Sequence, residues 1–282
     1  MSLDKSFIQH LEKKAQELRR LLVEVTFRTK GAYLAQALSG IDMMTAVHYG
    51  FLRSDPKHPH DESRDRFLLS PGHYALALYV ILADRGYFDK DLLWTFKDNG
   101  SPLELASHRH TVPGVEVSGG SLGQVLSVGV GMALAGRLKR NDYKVFVFMS
   151  DGEQDEGQVW EACASASHYK LSNLIAIIDC NGFQVDGATK DVMNMEPLAE
   201  KYKAFGFDCE ECDGNSMEQV CRALFRFCNE NNNKPKVLIG RTIRGKGVSF
   251  MEGNKDFHYT RLDESLHDRA LDEMFGGDSD AL

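Results

Sequence analysis

The residues best placed to do chemistry are a carboxylate and an amide at matched positions. Asp151-Gly152-Glu153 ends the apolar run 144–149, and Asp179-Cys180-Asn181 ends a second run, 174–178. An Asp oxygen, an Asn oxygen and a nearby backbone carbonyl suit a hard divalent cation, which usually completes its shell with phosphate oxygens and water. The pair is useful only if the chain brings it together. Each run has strand length and composition, and residues 156–169 between them read as a helix. Strand, helix and strand of this size form a right-handed crossover, which makes the strands parallel and puts both carboxyl ends at one sheet edge. Open α/β sheets bind ligands at that edge. The site asks for a diphosphate. Asp151 alone could equally cap the next helix, a common task for Asp.

Ser150-Asp-Gly-Glu-Gln-Asp-Glu-Gly-Gln-Val-Trp-Glu-Ala162, followed by Asn181-Gly-Phe-Gln-Val-Asp-Gly187, resembles the thiamine-diphosphate fingerprint. That motif opens Gly-Asp-Gly and closes on Asn after a fixed gap; Ser150 stands where the first Gly is usual. The resemblance is to the transketolase family in its split form, where the diphosphate-binding half is a separate polypeptide. It extends over residues 10–262. It implies thiamine diphosphate with magnesium (or calcium or manganese), held by Asp151, Asn181 and the carbonyl of Phe183. It further implies a cofactor-binding set of Gly152, Glu153, Asn181, His73 and His258, with the backbone of Gly120, Ser121 and Leu122 against the aminopyrimidine side. His73 belongs to Ser70-Pro-Gly-His73, and His258 follows the run from Gly245 to Glu252. His258, His73 and Glu156 are the implied catalytic side chains, and Glu161 lies towards a subunit interface. An imidazole at His258 could exchange protons with a sugar hydroxyl near neutral pH.

The substrate half departs from the family pattern. Ala32-Tyr33-Leu34 replaces the usual Gly-His-Pro, and a second His-Pro is represented only by His108-Arg109-His110. Tyr33, His108 and His258 are therefore the expected substrate residues, reading an unusual ketose or acceptor. The family's activating Glu and its aromatic platform belong to a second, pyrimidine-binding domain, which these residues do not encode. The expectation is an N-terminal transketolase subunit that moves a two-carbon ketol unit from a ketose or ketose phosphate to an aldose. It would be active only with a C-terminal partner, in an α2β2 heterotetramer. Two alternatives stand beside it: the α subunit of a 2-oxo-acid dehydrogenase, and a catalytically silent thiamine-diphosphate-binding homologue. Trp160-Glu-Ala and the run from Gly245 to Glu252 favour transketolase; retention of Asp151 and Asn181 argues against silence.

The surrounding elements fit one α/β domain over residues 1–282: a doubly wound, mainly parallel sheet with helices on both faces. Strands are predicted at 67–69, 144–149, 174–178, 207–212 and 237–243. Helices are predicted at 4–25, from a loose Gly/Ala segment (31–40) through Tyr49, from Ser70-Pro71 to about Asp84, after Gly119-Gly-Ser-Leu-Gly123, and at 156–169, 196–205 and 217–230. The polar tail after Met274 should be frayed. At 282 residues and 43% hydrophobic content the chain can bury a full core, and a net charge of −8 gives no support for nucleic-acid binding. No apolar stretch approaches a membrane span and no signal peptide opens the chain, so a cytoplasmic protein is expected. Six irregularly spaced cysteines read as reduced thiols. Two lookalikes fail. Gly240 to Lys246 imitates a nucleotide P-loop, but Gly247 stands where Ser or Thr must ligate magnesium. Asp151 to Ala162 imitates a calcium loop, but Glu156 replaces its Gly and Ala162 its Glu.

Overall fold

Five parallel strands form one sheet: β1 (Arg66–Leu69), β2 (Val145–Ser150), β3 (Leu174–Cys180), β4 (Asp208–Asp213) and β5 (Lys236–Arg241). Their order is β1-β2-β3-β5-β4 in the computed structural model, which describes residues 3–276. Each expected strand is present, and the ends differ by a residue or two. Side-chain alternation explains why the central runs are apolar throughout. Phe146, Phe148, Ile175, Ile177 and Leu238 face one core, while Val145, Val147, Met149, Leu174, Ala176, Ile178, Val237 and Ile239 face the other. Helices α1 (Lys5–Arg28), α2 (Leu34–Thr45) and α3 (Ala75–Asp84) cover the first face. Helices α4 (Val125–Leu138) and α5 (Gly157–His168) cover the second. After a single turn α6 (Thr189–Val192), α7 (Leu198–Ala204) joins the second face, and α8 (Met217–Asn229) and α9 (Glu264–Phe275) join the first.

Local physics moved several boundaries. The segment 31–40 is not loose: α2 begins at Leu34 and every one of its residues is buried. Its small residues permit close packing, since a Cβ on Gly40 would lie 2.8 Å from Phe148. The helix then continues as a π-helical turn, Ala46–Phe51. Ser70 does not cap a helix; a 3₁₀ turn, Gly72–Tyr74, precedes α3, and the Ser70 hydroxyl donates to Glu153 instead. Gly119 to Gly123 form a loop, and α4 opens only at Val125. Helix α9 runs to Phe275 and Gly276 closes it; the rest of the expected tail lies outside the described residues. Cys209 and Cys212 sit three apart on β4, which turns them to opposite cores, and all six cysteines are free thiols. Among the described residues no helix is long and apolar enough to cross a membrane.

Candidate functional site

The carboxyl ends of β2 and β3 meet as the crossover requires. Ser150 pairs with Asp179, and the Asp151 N–H donates to the Asp179 carbonyl at 3.1 Å. Asp151 caps the 3₁₀ turn Gly152–Asp155, accepting from the Gly152 N–H at 2.8 Å. Its other oxygen accepts from the Gly182 N–H at 2.7 Å and from the Thr189 hydroxyl at 3.2 Å, which anchors the loop after β3. Gly182 can present that N–H because its φ is +80°, a conformation other residues adopt only with strain. Asn181 accepts from the Phe183 N–H through Oδ1 (3.0 Å) and donates through Nδ2 to Tyr74 Oη (3.2 Å). The Phe183 carbonyl oxygen accepts no hydrogen bond among the described residues, since Phe183 faces Ala188 across a bridge whose bonds are made by Gly182, Gln184, Gly187 and Thr189. Burial, then the nearby Asp179 charge, pushes the Asp151 carboxyl up to about 7. A bound cation would reverse that shift.

Two buried residues that sequence reasoning passed over complete this edge. Asp179 has no exposed surface and collects hydroxyl donors from Ser39, Tyr74 and Thr242; burial raises its pKa and these donors lower it. Arg244 is 1% exposed, and its Nε and Nη2 have no partner among the described residues. Its guanidinium lies 5.7 Å from the Phe183 ring centroid and interacts electrostatically with Asp151, His73 and His258. A buried cation with unmade hydrogen bonds is costly unless an anion answers it. A carboxylate, an amide oxygen and a free carbonyl beside such a guanidinium fit a metal-bound diphosphate.

Next to this edge is a cavity of about 250 Å³ lined by Tyr33, Gly72, His73, Leu105, Ala106, Gly120, Leu122 and His258. Hydrogen bonds between Ala32 and Thr260 in both directions bring Tyr33 to His258, ring centroids 5.3 Å apart. Burial first, then His258 and Arg244, lowers the His73 pKa to about 3, which favours the neutral imidazole. Burial and Arg244 lower His258 as well. The Gly120 N–H donates to the Ser70 carbonyl (2.8 Å), and Gly119 packs so closely that a Cβ would lie 2.5 Å from the Leu69 oxygen. Glu153 is turned inward. Its carboxylate accepts from the Ser70 hydroxyl and from the Gly123 N–H (2.8 Å), tying three loops of the site together without facing the cavity.

Other expected residues are elsewhere. His108 is exposed and pairs with Glu104 at 3.4 Å; Leu105 and Ala106 occupy the cavity wall in its place. His110 lines a separate cavity with Arg64 and Arg109. Ser121 is exposed beside the cavity, and Glu156 and Glu161 are exposed on and before α5. Lys246 of the P-loop lookalike points outward, 3.9 Å from Glu252.

Comparison with known proteins identifies the family. The family model for the transketolase thiamine diphosphate binding domain matches residues 11–280. The chain is 39% identical over 267 residues to one of the subunits of the apulose-4-phosphate transketolase of Phocaeicola vulgatus, covering 95% of this chain and 94% of that one. It is 34% identical over 264 residues to the 6-deoxy-6-sulfo-D-fructose transketolase subunit SqwG of a Clostridium species, covering 94% and 96%. The crystal structure of transketolase from Campylobacter jejuni superposes with a TM-score of 0.88 at 28% identity. That match covers 94% of this chain but 43% of the other, so the chain spans less than half of the whole enzyme.

Proposed function

The chain belongs to the transketolase family, and from that premise we propose that it is the N-terminal, diphosphate-binding subunit of a split transketolase. It transfers a two-carbon ketol unit from a ketose to an aldose. The observation that carries this reading is the union at one sheet edge of Asp151, Asn181, the free Phe183 carbonyl and the buried Arg244 guanidinium, whose Nε and Nη2 have no partner among the described residues, beside a cavity bearing Tyr33, His73 and His258. Asp151, Asn181 and Phe183 hold magnesium, or calcium or manganese in its place. Arg244 and the Gly152 backbone receive the diphosphate, and the loop of Gly120, Ser121 and Leu122 lies along the aminopyrimidine. When bound, thiamine diphosphate supplies the nucleophilic carbon and the electron sink for cleaving the bond beside a ketose carbonyl.

This chain's residues do the binding and positioning. Tyr33 and His258 contact the sugar, neutral His73 hydrogen-bonds within the cavity, and Glu153 holds the three loops in register. Glu156 stands outside the cavity, where a second subunit would meet it. Relatives named for apulose 4-phosphate and for a sulfofructose, together with Leu105, Ala106 and Tyr33 on the cavity wall, support a ketose other than the standard pentose phosphates. The partner is a pyrimidine-binding C-terminal subunit in an α2β2 assembly. The exposed Val185, Val192 and Met193, on the segment that carries Phe183, are apolar surface for it to cover. The six free thiols fit a cytoplasmic setting.

The deciding experiment purifies the chain and assays ketol transfer with excess magnesium and thiamine diphosphate, alone and with its partner. Silence alone and activity on mixing is expected. Full turnover without a second polypeptide would refute the split-enzyme reading, and turnover that needs a lipoyl acceptor would favour the 2-oxo-acid dehydrogenase alternative.

A further inference from the structure

Gln36 lies in the first turn of α2, three residues after Tyr33, and is 3% exposed. Met would fill similar space, so packing alone does not account for an amide there. Burying one without partners costs about 1–3 kcal/mol. Among the described residues the amide has one partner: its Nε2 lies 2.8 Å from Nδ1 of His258, while Oε1 has none. An amide nitrogen can only donate, so Nδ1 must accept and therefore carries no proton. Burial and the Arg244 charge both disfavour imidazolium at this position. A neutral ring whose Nδ1 accepts holds its single proton on Nε2. Among the described residues nothing in the protein bonds that nitrogen, and the ring borders the cavity with Tyr33 and His73.

We propose that Gln36 is a positioning residue that fixes His258 as the neutral Nε2–H tautomer, so that His258 meets the substrate as a hydrogen-bond donor. A donor there recognises a carbonyl or hydroxyl oxygen of the sugar and stabilises charge that develops on it. The role differs from that of a base removing a hydroxyl proton, which the sequence alone suggested for His258. Nothing in the local sequence pattern links the two residues, which are 222 positions apart. Only the identity of the substrate oxygen rests on the transketolase reading; the tautomer does not.

The test uses long-range ¹H–¹⁵N spectra of the full chain at neutral pH, with His258→Asn for assignment. The wild type should show an unprotonated, hydrogen-bonded Nδ1 and a protonated Nε2. Gln36→Met should move the Nδ1 resonance towards that of a free imine nitrogen. Gln36→Glu should invert the pattern, because a carboxylate draws the proton to Nδ1. In the assembled enzyme Gln36→Glu should lower kcat by about tenfold to a hundredfold and leave thiamine diphosphate affinity unchanged. A protonated Nδ1 in the wild type overturns the inference, and so does a Gln36→Met spectrum identical to it. These outcomes stand even if the Glu variant does not fold. Absence of ketol transfer by the wild-type assembly would instead count against the proposed function and leave the tautomer result intact.

Discussion

Asp151→Asn separates the charge of the metal ligand from its shape, because Asn closely matches a protonated Asp. In the metal-free chain, burial and Asp179 raise this carboxyl from the ordinary 3.8 to about 7. An acid with a raised folded pKa holds its proton more tightly in the folded state. As pH climbs past 3.8 the unfolded chain ionises first, and stability is lost until pH passes about 7. Over roughly 3 pH units, at about 1.4 kcal/mol each, that loss is about 4 kcal/mol. Asn does not titrate and escapes it. Against this gain, the Asn amide turns an N–H₂ towards either the Gly152 or the Gly182 N–H, both of which Asp151 now satisfies. A protonated Asp keeps a lone pair on its hydroxyl oxygen whereas an amide nitrogen accepts nothing, so the unsatisfied donor costs the variant about 1–3 kcal/mol at every pH. The two terms cross. In urea denaturation with chelator present, the variant should be the less stable protein at pH 4 and the more stable at pH 8. Magnesium with thiamine diphosphate should then stabilise the wild type and not the variant. A stability difference that stays flat with pH, or equal stabilisation of both proteins by the ligands, would refute the reasoning.

Three further outcomes are expected. Arg244→Met removes a guanidinium with two unpartnered nitrogens, so thiamine diphosphate affinity should fall by about tenfold to a hundredfold while the cofactor-free chain loses little stability; calorimetry of the assembled enzyme and urea curves of the chain measure the two, and unchanged affinity would remove Arg244 from the diphosphate site. Tyr33→His replaces a neutral phenol on the cavity wall by imidazole and should shift specificity towards pentose-phosphate donors; identical ratios of kcat/KM across a ketose panel would show that Tyr33 does not read substrate. Gly119→Ala puts a methyl 2.5 Å from the Leu69 oxygen, which cannot move without disturbing β1, so thermal denaturation should report a loss of about 1–3 kcal/mol; a Tm equal to that of the wild type would show that the loop yields.

The parts of this protein that could be read from its sequence are those with a local signature. Strands β2 and β3 are buried on both faces, so each appears as an unbroken apolar run, and Asp151 and Asn181 follow directly from where those runs stop. Helix α9 had such signals too: Asp263 accepts from the Leu266 N–H at one end, and Gly276 closes the other with φ +62°. His108 was misplaced because a loop without periodicity offers no register, and a shift of two residues decides which side chain lines a wall and which faces water. Gln36, Asp179 and Arg244 are different in kind. Each is one polar residue in an apolar setting, and its role is defined by partners far along the chain: His258 for Gln36, Ser39 and Tyr74 for Asp179. Read locally, such residues are defects in a core pattern. Their cost when buried is what marks them, because a polar group held from water must be answered by a partner or by a ligand. By that measure Asp179 is answered within the chain, Gln36 is answered in part, and Arg244 keeps two nitrogens for the anion that the proposed function assigns to it.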